Sequence, residues 1–258
     1  MMAVPGLPRG RLFLVPAPLD FGCDVLTDVR QTLPDATLRA AASLSHWVCE
    51  NAKTARAYLK RIDAVHPLCV PIQAMQITEL PREVHKKGDH DGSFDARHLM
   101  TPALQAHDMG LLSEAGMPAI ADPGSSVVRA AHDLGLQVVP LVGPMSLMLA
   151  LAASGMNGQD FAFVGYIPSS PAERVTRIRA LEAQALGRGQ TQLLIETPYR
   201  NPALLASLLQ TLAPETRLAT ASGLGMPGET CRSASVTTWR AKGWECDKST
   251  PTVFAIGR

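Results

Sequence analysis

The sequence predicts a two-domain α/β protein, and three observations carry that expectation. Short apolar runs of strand length alternate with stretches of helical period, an order that implies parallel strands linked by helices. Glycine and proline gather in loops directly after several of those runs. The 258 residues suit two small α/β domains, for which residues 11–143 and 144–258 are the expected bounds.

Taken in order, Arg11 to Ala17 (RLFLVPA) is a first buried strand stopped by Pro16 and Pro18. Val25, Leu26, Val29 and Leu33 recur at helical spacing, and the alanine-rich Asp35 to Leu44 is helical by propensity. His46 to Cys49 suits a second strand, and Lys53 to Ile62 a further helix. Leu80 to Phe94 is polar and aperiodic, and is expected to be a mobile surface loop. Asp95 can cap a helix running to Ala106, after which Asp108 to Ser113 is another short strand. Ser125 to Leu134 is a helix ended by Gly135, and Leu136 to Val142 a strand whose internal proline suits an edge or a bend.

Gly143 and Pro144 break the chain, and Pro144 to Ala153 follows as an uncharged buried helix, far short of the roughly 20 residues a bilayer requires. Phe161 to Ile167 opens a second set of strands. Ser170-Pro171-Ala172-Glu173 starts a helix that runs to about Leu186, with a serine cap, a proline at the first helical position and a capping-box glutamate. Gln192 to Glu196 is a strand, Asn201-Pro202 caps a helix, and Leu218 to Ser222, Ser233 to Thr238 and Thr252 to Ile256 are later strands.

Composition narrows the function. A chain with 46% hydrophobic and 18% charged residues can bury a sizeable aliphatic core, which excludes disordered and fibrous classes. The formal charge of +1 supplies no global field toward nucleic acid. Cys23, Cys49, Cys69, Cys231 and Cys246 contain no CxxC pair, so reduced thiols in a cytoplasm are expected and a zinc site is not. Met1 to Gly10 has the character of neither a signal peptide nor an anchor. His85 and His90 alone approach metal-ligand spacing, and no metal is expected. Met145, Met148 and Met156 are expected to fill core space.

Three loops stand at the ends of expected strands: Pro16-Ala17-Pro18-Leu19, Ser113 to Gly124 (SEAGMPAIADPG) and Val142 to Ser146 (VGPMS). Ligands of open α/β sheets bind beyond the carboxyl ends of the strands, so the three can converge on one crevice. Their spacing alone leaves open whether they are ligand loops or plain strand-to-helix turns. GxxxxGK[ST] does not occur, which removes the usual triphosphate loop.

The strings SEAGMPAIADPG, VGPMSLMLALAASG, FAFVGYIP and IETPYRN, in that order, resemble the tetrapyrrole (corrin/porphyrin) methylase family. The likeness is strongest to its branch of small-subunit ribosomal RNA (cytidine-2′-O)-methyltransferases. The resemblance implies two α/β domains with S-adenosylmethionine in the cleft between them, in a homodimer. It places Pro16, Ala17, Pro18 and Leu19 in a first cofactor loop, and Glu114, Ala115, Gly116, Met117, Pro118 and Asp122 in a second. Gly143, Pro144 and Ser146 match the linker motif, Glu196 and Pro198 a strand end facing the cofactor, and Ala221 a further contact.

The ribosomal branch has an acidic-Asp-Thr-Arg string where this chain has Glu50-Asn51-Ala52-Lys53, and Pro-Ile-Gly-Asn where it has Pro18-Leu19-Asp20-Phe21-Gly22. It also has Arg-Glu-Leu-Thr-Lys where Ala221 to Gly225 stand, so substrate contacts are altered, with Lys53 and Arg56 replacing some charge. Glu50 and Glu114 are candidate bases for a hydroxyl acceptor, or merely solvated or capping carboxylates. Tyr199 and Arg200 can stack on and neutralise a nucleotide, or simply start the helix at Pro202. Ribosomal RNA or the small-subunit particle is the expected acceptor. The alternatives are C-methylation of a precorrin or uroporphyrinogen ring, and binding of the cofactor without turnover.

Overall fold

The computed structural model describes residues 8–258, apart from the side chains of residues 85–87. The reading of Met1 to Gly10 falls mainly on residues outside this range. The chain divides into two compact units, one comprising the residues up to Phe21 with Thr27–Pro144, the other Gly22–Leu26 with Met145–Arg258.

In the first unit five parallel strands lie in the order β3-β2-β4-β1-β5: β1 (Leu12–Val15), β2 (His46–Cys49), β3 (Gln76–Glu79), β4 (Met109–Leu112) and β5 (Val138–Pro140). The helices α1 (Val29–Thr32), α2 (Asp35–Ala42), α3 (Ala52–Asp63), α4 (Arg82–Lys87), α5 (Thr101–Leu104) and α6 (Ser125–Asp133) connect them. Alternation sorts the strand residues onto two faces. Phe13, Val15, Trp47 and Leu112 pack with Leu38, Tyr58, Leu59 and Ile62 of α2 and α3. Leu12, Val48 and Leu111 pack with Val84, Met100, Val127 and Ala130 on the other face. Cover on both faces explains why the inner strands β1 and β4 are apolar throughout rather than alternating. Pro140 ends β5 at the sheet edge, where a missing N–H costs nothing.

In the second unit the order is β6-β7-β10-β8-β9, from β6 (Phe161–Phe163), β7 (Thr191–Ile195), β8 (Arg217–Ser222), β9 (Thr230–Ser235) and β10 (Thr252–Gly257). Only β6 and β7 are parallel; the other three pairings are antiparallel. The helices α8 (Pro171–Arg188), α9 (Asn201–Thr211) and α10 (Val236–Lys242) cover one face around Leu194, Phe254, Leu205 and Trp239. The helix α7 (Ser146–Ser154) packs against β8, β9 and β10.

Several sequence expectations require correction. Val25 and Leu26 lie exposed outside any helix, and only the single turn of α1 forms, because Asp20 draws the Thr27 N–H into a loop and Asp28 caps the Arg30 N–H. The strand β3 was not expected: it pairs in register with β2 at the sheet edge, and its mostly exposed residues carry little apolar period. Leu80 to Phe94 is no open loop, since α4 forms within it and Leu80 and Val84 are buried four residues apart on its inner side. Ser170 stands at the α8 cap with Pro171 after it, yet its hydroxyl makes no capping bond. Ser233 to Thr238 is split, because the Ser235 hydroxyl accepts from the Thr238 N–H and turns the chain into α10. The helix α7 buries Leu147, Ala150 and Leu151 but leaves Met148 and Leu149 exposed, so Met148 is not core filler.

Asp89 binds the former loop region to α6. Its buried carboxylate accepts from the Gly124 N–H (3.0 Å), the Ser126 N–H (2.8 Å), the Ser125 hydroxyl (2.8 Å) and the Ser126 hydroxyl. This is a helix cap supplied from a distant segment, satisfying amides at the positive end of α6. Burial pushes the carboxyl up, but these donors outweigh it and hold the group below its ordinary range. A depressed folded-state value means stabilisation that is complete above the unfolded value of about 4 and lost as pH falls through the folded one. Asp89→Asn is therefore expected to lose about 1–3 kcal/mol at pH 7. In urea titrations from pH 7 to 3 its stability should fall less steeply than that of the parent; parallel curves would contradict the assignment.

Candidate functional site

The strand order of the first unit places a switch point between β1 and β4: the chain leaves β1 toward β2 and leaves β4 toward β5, in opposite directions along the sheet. Each loop therefore crosses the carboxyl end of the other strand, and ligands of open α/β sheets bind beyond those ends. Here the loops after β1 and β4 are joined. The Ala17 N–H donates to the Gly116 carbonyl (2.9 Å) and the Gly116 N–H to the Ala17 carbonyl (3.0 Å), an isolated antiparallel bridge beyond the sheet.

Glycine is favoured at Gly116 by its backbone, and the space beside it is tight. Its φ of +67° is left-handed, and a Cβ there would stand 3.3 Å from Leu19 Cδ2 and 3.7 Å from the Pro144 carbonyl oxygen. Gly143 is required by proximity, since a Cβ would lie 2.2 Å from Pro16 Cγ. The three loops expected from the sequence thus meet within one unit, with Pro16, Ala17, Pro18, Gly116 and Pro118 buried and Leu19, Ala115, Met117, Gly143 and Pro144 half-buried. Two alanines of the second loop, Ala119 (φ 64°) and Ala121 (φ 63°), are also left-handed, a conformation that costs roughly 1–2 kcal/mol per residue.

Three carboxylates surround the second loop. Glu50 Oε1 accepts from the Glu114 N–H (3.3 Å), and Glu114 Oε1 accepts from the Thr54 hydroxyl (3.2 Å). Asp122 stands near enough to both that burial first, then repulsion from Glu50 and Glu114, raises its carboxyl to about 7. Ser113, at the base of the same loop, is buried with its hydroxyl unpartnered. Lys53 and Arg56 are exposed on the first turns of α3, whose cap is Asn51.

The remaining candidates lie on the second unit. Ser146 begins α7, and Ala221 is buried in β8 between Val253 and Cys231. Glu196 follows β7 with its carboxylate buried; Oε1 accepts from the Thr197 N–H (2.8 Å) and Oε2 from Arg200 (2.6 Å). Pro198 and Arg200 lie in one 3-10 turn, so the Arg200 guanidinium is engaged by Glu196 while Tyr199 is 66% exposed. Asn201, fully buried, donates to the Thr250 carbonyl (3.0 Å) and keeps Oδ1 unpartnered. Asn201 was expected to cap α9, but it is the first residue of that helix, after Arg200 at the cap, and no side chain caps it.

Among the described residues no group of three His, Cys, Asp or Glu side chains stands together as a metal site, and no helix is long and apolar enough to cross a membrane. His90 is exposed in the segment after α4.

Residues 35–238 match the family model of Tetrapyrrole (Corrin/Porphyrin) Methylases. Relatives named ribosomal RNA small subunit methyltransferase I include one from Pseudomonas aeruginosa, 35% identical over 150 residues, covering 58% of this chain and 50% of that protein. The Mesorhizobium japonicum protein is 27% identical over 225 residues, covering 87% of this chain and 67% of its own. That of Escherichia coli O157:H7 is 25% identical over 228 residues, covering 88% and 70%. The chain thus spans from half to about two thirds of the length of these relatives. Among solved structures, the uroporphyrin-III-C-methyltransferase of Thermus thermophilus superposes with a TM-score of 0.54 at 18% identity, covering 96% of this chain and 94% of that one. A crystal structure titled as the methyltransferase CobJ gives a TM-score of 0.57 at 15% identity with the same coverages. These likenesses show a shared two-domain fold.

Gly143→Ala is expected to force apart Pro16 and the third loop, at a cost of about 1–3 kcal/mol. Chemical denaturation with unchanged m-value should show the loss; a midpoint equal to the parent's would mean that the loops tolerate separation.

Proposed function

The chain belongs to the tetrapyrrole (corrin/porphyrin) methylase family, and from that premise we propose that it is an S-adenosylmethionine-dependent methyltransferase acting on a 2′-hydroxyl of small-subunit ribosomal RNA. One observation carries the ligand site: the bridge of Ala17 to the left-handed Gly116, beyond the carboxyl ends of β1 and β4. A glycine there keeps a large side chain out of the place where the two loops meet, so that their backbone can approach a nucleoside. The relatives' names support ribosomal RNA as the acceptor. The cytoplasm is the matching location, and a homodimer the matching assembly.

The bound cofactor would supply an activated methyl group on a sulfonium. The protein's own part is to orient, to exclude water and to move one proton. Pro16 to Leu19, Glu114 to Pro118, Asp122, Gly143 and Pro144 form the holding surface of the first unit; Ser146, Glu196, Pro198 and Ala221 are the second unit's candidates for the same ligand. Glu50 and Glu114 act mainly as anchors, each already engaged by the second loop or by α3. Asp122, with its carboxyl at about 7, is the member of the cluster able to take up the acceptor's hydroxyl proton near neutral pH. Lys53, Arg56, Tyr199 and Arg200 contact the RNA, Lys53 and Arg56 through phosphate and Tyr199 through base stacking.

Methyl transfer from labelled S-adenosylmethionine decides among the acceptors. Label is expected at a cytidine 2′-oxygen of small-subunit particles; label on uroporphyrinogen instead would assign the tetrapyrrole reaction, and cofactor binding without label on either would assign a sensor. Gly116→Arg, which puts a large side chain where the two loops meet, should remove cofactor binding in calorimetry. Because the left-handed backbone adds about 1–2 kcal/mol of strain, its melting point should fall without loss of fold. Unchanged affinity would exclude this loop as the site.

A further inference from the structure

Helix α3 presents three polar side chains at positions i, i+4 and i+7, and each grips a different point of the two loops. Thr54 donates to Glu114 of the second loop (3.2 Å). The buried Tyr58 hydroxyl donates to the Pro16 carbonyl of the first (2.7 Å), and burial holds its phenol well above the ordinary range, as a neutral donor. Arg61 forks onto Asp20, one residue beyond the first loop, with Nη1 to Oδ1 at 3.1 Å and Nη2 to Oδ2 at 2.7 Å. The same Nη2 donates to the Thr27 carbonyl (2.6 Å), while the Thr27 N–H donates to Asp20 (2.8 Å).

Residues separated by three and four positions share one face of a helix, so the stripe is a single rigid template. The Asp20 carboxylate is only 3% exposed, which makes this pair unlike a solvent-screened surface bridge. Its fork geometry fixes direction as well as distance, which a lysine would not do. Asp20 and Thr27 close the base of the excursion Phe21 to Leu26, whose Phe21, Val25 and Leu26 are exposed. The chain between Tyr58's anchor and Arg61's anchor is Pro16 to Asp20, the whole of the first loop.

We propose that Arg61 is a positioning residue for the first ligand loop, holding Asp20 so that Pro16 to Leu19 meet Gly116 in register for the nucleoside. This rests on the reading of those residues as a cofactor loop, and Asp20 lies where the ribosomal branch carries a different string.

Two measurements on the full chain test it: calorimetric titration with S-adenosylmethionine and amide exchange at Ala17 and Gly116. Arg61→Lys keeps the charge and loses the fork; the double variant Asp20→Asn with Arg61→Leu removes both charges, so neither is left buried alone. The dissociation constant is expected to rise about tenfold or more in the double variant and less in Arg61→Lys. Exchange at Ala17 and Gly116 should quicken about tenfold, with amides of β7 and β10 unchanged. A melting point that falls while affinity and exchange at those two amides stay at parental values overturns the proposal, leaving Arg61 a structural residue. Should the double variant fail to fold, Arg61→Lys with the same exchange reading decides. Failure of the parent chain itself to bind S-adenosylmethionine would refute the proposed function, and is told apart because the parent, not the variant, is silent; the exchange result then still upholds or overturns the clamp.

Discussion

The pair of hydrogen bonds between Ala17 and Gly116 is the constraint on which the rest of the first unit turns. The loops after β1 and β4 cross on their way to opposite sides of the sheet, and the bridge fixes the point at which they touch. The tie is made from backbone alone, so it asks nothing of side-chain chemistry except that none intrude. Proline at positions 16 and 18 restricts the first loop, and glycine at 116 admits the turn. Every other contact in the region, from the Pro16 packing of Gly143 to the grip of α3, reinforces a geometry this bridge defines.

Electrostatics follow from the same geometry. Bringing the loops after β2 and β4 together places Glu50, Glu114 and Asp122 in one neighbourhood, and three carboxylates cannot all ionise there at ordinary cost. Glu50 and Glu114 have donors within reach, so the burden falls on Asp122. On the second unit the arrangement is opposite in kind: Glu196 is satisfied by its own turn and by Arg200, leaving a buried carboxylate that is structurally committed.

Much of this was legible in the sequence, and the reasons for success and failure differ by residue type. Glycine and proline mark loops through backbone sterics alone, so the three convergent loops and their strand ends could be read before any contact was known. The covered sheet was equally visible, because burial on both faces leaves continuous apolar runs such as Leu12–Val15 and Met109–Leu112. What the sequence concealed were partners distant along the chain. Nothing near Asp89 announces that it caps α6, and Asp20 and Arg61 are 41 positions apart. Leu80 and Val84, four apart with Pro81 between them, were the available sign that a short helix interrupts the polar stretch. The edge strand β3 hid for the converse reason, since a strand with one inward residue carries almost no period.

Ala119 and Ala121 carry a consequence for recognition. Two side-chain-bearing residues held in a left-handed backbone show that the surrounding fold, rather than local preference, dictates the shape of the second loop. The entropy of ordering that segment is therefore spent during folding, and the ligand proposed for it would meet a loop already shaped. Association at such a surface should be limited by shape match and desolvation rather than by the freezing of chain motion.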